Sequence, residues 1–298
     1  MQPFDSRAPF TLRNVLLATD FTPSSQTALL YALSLARRSH SRIIMAHIVN
    51  PPAQRLFGQD AVQRALDAAW REAQSELTNL LIDGKLEGLT HEVLVRQGDV
   101  WPELEKLITE RDIDMLVTGT RGRSGVWKML MGSTAEMIFR RATCPVLTVG
   151  PRLTATEPPA DGPKRILYPT GFAFQSLNAG TFTLALARRQ QAHLAMLNVV
   201  RQVENDSPQR RSQVEQEARQ KLAALIAGDA ELPAPPDIFV RFGDPAAAIL
   251  DVATDWHAEL IVMGVRPAER DGGRIDRPTA YNVVANAPCP VLIVKAQN

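Results

Sequence analysis

Two cysteines, Cys144 and Cys289, leave no material for a disulfide framework. Both stand just before a Pro-Val-Leu run, and the spacing reads as two partly buried thiols in equivalent places. The five histidines, at 40, 47, 91, 193 and 257, are scattered and form no His/Cys cluster with metal-ligand spacing. Charge of one sign is also scarce: 33 Lys and Arg face 32 Asp and Glu, with no run of five or more like charges. That balance argues against a nucleic-acid surface or an anionic-membrane surface. No apolar run approaches the roughly 20 residues that cross a bilayer. The opening MQPFDSRAPFTLRN has no basic segment leading into an apolar stretch, so a cytoplasmic chain is expected. Aromatic residues are few, at 6%, and Trp70, Trp101, Trp127 and Trp256 make no stacking array. They read as packing or surface residues.

What the chain does have is internal repetition, over a length of 298 residues that is about twice the usual domain. RATCPVLTVG (141–150) matches NAPCPVLIVK (286–295) at six of ten positions, an offset of 145. RQGD (96–99) meets RFGD (241–244) at the same offset. Upstream, NVLLATD (14–20) meets RILYPTG (165–171) at an offset of 151, so the second copy is six residues shorter in between. A loop and helix after the second strand are the expected place for that difference. The division predicted is one domain over 1–150, a Pro-, Gly- and polar-rich linker over 151–163, and a second domain over 164–298.

Within the first copy, VLLAT, RIIMAHIV, HEVLV, MLVTG and PVLTV are short apolar runs of the kind that form strands buried on both faces. Ser24 to Arg38, Asp60 to Leu81, Pro102 to Glu110 and Gly132 to Arg141 read as the helices between them. Asp99 and Asp244 are candidate N-caps for the third helix of each copy, and Pro245 suits a first helical turn. The predicted fold class is α/β: two tandem, doubly wound, five-stranded parallel sheets with helices on both faces, Rossmann-like in character. Ligands on such sheets bind at the carboxyl ends of the strands, where the strand order reverses.

At that place, after MLVTG, the first copy carries Gly119-Thr120-Arg121-Gly122, then nine residues, then Gly132-Ser133-Thr134 opening a helix. Glycines allow close backbone approach, and the unpaired amides at a helix start favour an anion. A polyphosphate is the natural guest. The glycine spacing, the TDF at 19–21, the histidine in MAHIV and the terminal CPVLTV together resemble the ATP-binding universal stress proteins. The likeness is close over 12–150 and looser over 164–298, and it implies an adenine nucleotide alpha hydrolase-like variant of the Rossmann fold. It also implies ATP as ligand, with Mg2+ or Mn2+ held by the phosphates. Carried over by position, it sets Gly119, Gly122, Gly132, Ser133 and Thr134 around the ribose and phosphates, Asp20 on the same path, and the Ile48 backbone against adenine. Arg121, between two of the glycines, is added as a phosphate neighbour, its alternative being a solvent-facing loop arginine. His47, inside an apolar strand, reads as structural rather than catalytic.

In the second copy the loop length survives and its chemistry does not. Gly119 maps to Gly264, but Gly122 maps to Pro267, Gly132 to Arg277, Ser133 to Pro278 and Asp20 to Gly171. Either that site is lost or it is remodelled around Arg266, Arg274 and Arg277; Gly272-Gly273 favours loss. No catalytic group stands out, and neither a G-x-x-x-x-G-K-[ST] loop nor a Ser-Gly-Gly-x-Asp-Ser loop is present. The function expected is therefore a nucleotide-responsive module of the stress response, with one competent site, acting on a protein partner. The alternatives are a slow metal-dependent ATPase or adenylate-handling enzyme using Asp20, or an architectural protein with an incidental site. The resemblance further implies association through the last strands, PVLTV and PVLIV, as an intramolecular pseudo-dimer, with a homodimer of whole chains left open.

Overall fold

A computed structural model describes residues 11–50, 59–120, 132–153, 157–201, 207–226, 232–265 and 278–295. The chain divides into two compact units, the first spanning 11–160 and the second beginning at 161. Unit one runs β1 (Asn14–Ala18), α1 (Pro23–Ser39), β2 (Arg42–Val49), α2 (Gln59–Ile82), β3 (His91–Gln97), α3 (Val100–Glu110), β4 (Met115–Gly119), α4 (Ser133–Arg141) and β5 (Val146–Val149). Unit two repeats the order as β6 (Arg165–Pro169), α5 (Phe174–Gln190), β7 (His193–Val200), α6 (Pro208–Leu225), β8 (Asp237–Phe242), α7 (Pro245–Asp255), β9 (Leu260–Val265), α8 (Pro278–Asn286) and β10 (Val291–Lys295). Helix α2 has 24 residues and α6 has 18, so the six-residue difference seen in the sequence is a shorter second crossover helix.

The strands of unit one are ordered β3-β2-β1-β4-β5 and all pair in parallel; those of unit two are ordered β8-β7-β6-β9-β10, again parallel. The strand order reverses between β1 and β4, and between β6 and β9. Right-handed crossovers put α1 and α2 on one face of their sheet and α3 and α4 on the other, with α3 packed on α4. The central strands are buried throughout: Leu16, Leu17, Ile43, Ile44, Met45, Leu116 and Val117 are at most 1% exposed. This burial on both faces is why the sequence shows continuous apolar runs in place of alternation. No described helix is long and apolar enough to cross a membrane.

Helix ends follow local chemistry. Pro23 and Pro245 occupy first turns, and the Asp244 carboxylate accepts the Ala247 amide at 2.8 Å. Asp99 holds the corresponding N-cap place in α3, but its side chain makes no capping bond. Of the tryptophans, Trp101 and Trp256 are buried, and Trp70 lies against Val49, Val62 and Leu66. Trp127 lies outside the described residues.

The two copies stabilise the opposite, amino-terminal strand ends differently. In unit one Glu92 accepts from Arg42 at 2.6 Å and from Arg111 at 2.8 Å. At the matching positions of unit two, Asp237 accepts from the Trp256 indole at 2.8 Å and faces His193 at 3.6 Å. The hydrogen bonds from Arg111, outweighing the opposing effect of partial burial, hold the Glu92 carboxyl below its ordinary 4.5. Its stabilisation is thus complete above about pH 4.5 and is lost as pH falls through the lower folded value. Glu92→Gln is expected to destabilise unit one by about 1 kcal/mol at pH 7. In urea melts across pH, that difference should shrink progressively as pH falls below 4.5; a constant difference would assign the loss to packing.

Both cysteines are buried and unbridged. Burial, aided by the negative charge of Glu259, pushes the Cys289 thiol up to about 12. Because the thiolate is the reactive form, folded protein at pH 8 should leave Cys289 unlabelled by iodoacetamide, with full labelling after denaturation, as read by mass spectrometry. Labelling of folded protein at the rate of a free thiol would refute this burial.

Candidate functional site at the strand reversal of unit one

Between the carboxyl ends of β1 and β4 the chain is organised by a short turn. The Thr19 amide donates to the Ala46 carbonyl at 3.0 Å, which is the last rung between β1 and β2. In a regular parallel ladder the Thr19 carbonyl would next accept the Ile48 amide. Here His47 Nδ1 lies 2.8 Å from that carbonyl instead, and because a carbonyl only accepts, Nδ1 must carry a proton. Peptide groups alternate in direction along a strand: Val49 accepts the Gly98 amide on the β3 side, so the peptide groups of Ile48 face the other way, past the end of β1. Ile48 itself is half-buried.

Phe21 adopts a left-handed backbone, φ 59°, and its ring lies 4.8 Å from the imidazole of His47. Asp20 Oδ1 accepts three hydrogen bonds, from the Thr22 amide at 3.2 Å, the Thr22 hydroxyl at 2.7 Å and the Ser25 hydroxyl at 2.5 Å. Thr22 is also the N-cap of α1, its oxygen accepting the Ser25 amide. The aspartate therefore fixes the turn that begins α1, half-buried at the crevice.

On the β4 side, Gly119 is required by packing. A Cβ there would stand 2.7 Å from the Ser24 hydroxyl and 2.8 Å from the Ser24 carbonyl group, so α1 can sit this close only over a glycine. Thr120 follows, with its amide donated to Val149 at 3.1 Å and its carbonyl accepting the Gly132 amide at 2.9 Å. That second bond brings the start of α4 beside the end of β4. Gly132 is the N-cap (φ −60°, ψ 152°) and supplies no capping side chain, while Ser133 and Thr134 are exposed. The first-turn amides of α4 have no acceptors within the helix, and they gather at an exposed positive dipole end. Arg121 and Gly122 lie outside the described residues.

The turn of unit one recurs in unit two, but the acceptor chemistry around it does not. Thr170 donates its amide to Leu197 at 2.8 Å, and Asn198 Nδ2 donates to the Thr170 carbonyl at 2.8 Å, replacing the imidazole of His47. Phe172 repeats the left-handed backbone, φ 61°. Gly171 replaces Asp20 and has no atom within 4 Å of where a Cβ would stand. Val265 stands where Thr120 was, and α8 opens on Pro278, which has no amide hydrogen. Arg266, Pro267, Gly272, Gly273, Arg274 and Arg277 lie outside the described residues.

Sequence reading placed Asp20, Ile48, Gly119, Gly132, Ser133 and Thr134 at this site, and the fold brings all six to the carboxyl ends of β1, β2 and β4. It did not anticipate the buried hydroxyl of Thr120 or the clamp of His47 on Thr19. The signal for the first lay in the repeat, as a Thr-to-Val difference at one register. Among the described residues, no group of three His, Cys, Asp or Glu side chains is placed to hold a metal ion.

Known proteins bear on this arrangement. The model of the universal stress protein family matches residues 11–150 and again 162–295. A Staphylococcus haemolyticus protein named for that family is 28% identical over 151 residues, covering 47% of this chain and 85% of its own. A Staphylococcus aureus protein similarly named is 27% identical over 161 residues, covering 51% and 89%. Among solved structures, a universal stress protein from Archaeoglobus fulgidus superposes with a TM-score of 0.70 at 20% identity, covering 96% of this chain and 99% of its own. With both halves matched separately and nearly end to end, the chain belongs to the universal stress protein family as a tandem member.

Proposed function

We propose that unit one binds ATP and that unit two does not, making the protein a one-site nucleotide-responsive module of the stress response that acts on a protein partner. The observation that carries this reading is the contrast at a single register. In unit one a glycine N-cap leads into Ser133 and Thr134 with their amides available, whereas in unit two the helix opens on Pro278. The donor set suits a nucleotide: α4 amides and hydroxyls for the phosphates with Gly122 and Arg121, and the Ile48 backbone, turned past the end of β1, for the adenine edge. A bound divalent cation would neutralise phosphate charge.

A ligand that binds only the folded state raises its melting temperature by mass action. Wild-type protein with millimolar Mg·ATP should melt higher than apo protein, and Gly132→Val should lose most of that shift. Absence of any shift with ATP, ADP or AMP would remove the reading. Hydrolysis is the second reading, with Asp20 as its base. Asp20 Oδ1 is already occupied by three donors of its own turn, which favours a structural part for that residue. Release of ADP that disappears in Asp20→Ala would favour hydrolysis.

A further inference from the structure

We infer that the Thr120 hydroxyl is a binding group of the unit-one site, held without a partner in the apo protein so that it can donate to an oxygen of the anion seated on α4. This rests on the nucleotide reading above and adds to it a residue outside the glycine and Ser/Thr positions.

Three observations converge. Thr120 is 2% exposed, and its Oγ1 is one of only two buried side-chain polar atoms among the described residues with no hydrogen-bond partner. Its backbone is already used on both sides, the amide by Val149 and the carbonyl by the Gly132 amide, so the hydroxyl is what Thr120 has left to offer. The second of those bonds sets Thr120 directly beside the N-cap of α4, where the dipole and the first-turn amides favour negative charge.

A buried hydroxyl without a partner destabilises a fold, and one apolar isostere would relieve it. Unit two carries that isostere. Val265 occupies the register of Thr120, in the copy whose helix start has a proline in place of Ser133. The hydroxyl is kept where the anion seat is kept and is absent where the seat is altered: Thr120 follows Gly119 as the half-buried Val265 follows Gly264.

The test is a pair of substitutions in the whole protein, Thr120→Val and Thr120→Ser, each measured for apo melting temperature and for Mg·ATP affinity by titration calorimetry. Thr120→Val should raise the apo melting temperature by roughly 2–4 °C and weaken ATP about tenfold to a hundredfold. Thr120→Ser, which keeps the hydroxyl, should bind ATP like wild type. A Thr120→Val protein that melts lower than wild type would show that the hydroxyl already has a stabilising structural partner, and would overturn the inference. So would Thr120→Val binding ATP at wild-type affinity, while leaving the nucleotide reading intact. A wild-type protein that binds no ATP fails the nucleotide reading itself, and with it the ligand assigned to Thr120.

Discussion

Replacing Gly119 by valine is expected to lower the stability of unit one by about 3 kcal/mol or more, a fall in melting temperature of roughly 6–12 °C. The new Cβ would lie 2.7–2.8 Å from the hydroxyl, carbonyl carbon and carbonyl oxygen of Ser24. Two of those atoms are backbone at the start of α1, and they cannot rotate away as the end of a flexible side chain could. Relief requires α1 to shift off β4, and α1 also packs on β1 and β5, its Leu29, Ala32, Leu33 and Ala36 all at most 6% exposed. Gly171→Ala supplies the control in unit two: with no atom within 4 Å, it should change stability by no more than about 0.5 kcal/mol. Thermal melts followed by circular dichroism distinguish the two. If Gly119→Val melted like wild type, close packing of α1 would not be the reason for a glycine at that position, and ligand approach alone would remain.

The second large effect is a separation of binding from stability. Ser133 is the first residue of α4, and the matching residue of α8 is Pro278. Proline is well tolerated at a helix start, where its missing amide has no intrahelical acceptor and its fixed φ suits the first turn. Gly132 already has the extended conformation that a residue before proline prefers, φ −60° and ψ 152°. Ser133→Pro should therefore leave apo stability within about 0.5 kcal/mol of wild type. The same change deletes one amide donor and one hydroxyl from the proposed phosphate seat, so ATP should bind about tenfold to a hundredfold more weakly. An unchanged ATP-induced melting shift in this variant would move the phosphates away from α4. Loss of the shift together with collapse of the apo protein would point instead to a misjudged helix start.

Much of this architecture could be read from residues alone because parallel strands buried on both faces announce themselves as uninterrupted apolar runs. VLLAT, RIIMAHIV and MLVTG sit within a residue of β1, β2 and β4 for that reason. The helix expected from Gly132 starts one residue later, since a glycine with an extended backbone is the cap and not the first turn. Contacts between distant segments were not legible. The clamp of His47 on Thr19 spans 28 residues, and Gly119 meets Ser24 across a still longer stretch; neither leaves a periodic trace. Asp99 and Asp244 mark a limit of another kind. They share a register and a residue type, yet only the Asp244 side chain caps its helix, a difference of side-chain placement that residue identity and spacing do not carry.

The unequal lengths of α2 and α6, 24 against 18 residues, bear on how the halves could be recombined. From β3 and β8 onward every matched position keeps a constant spacing of 145, so a chimera spliced there would exchange whole strand-helix blocks without an insertion or deletion. A junction placed ahead of those helices would instead import a crossover of foreign length, and the grafted strand would arrive out of step with its neighbours.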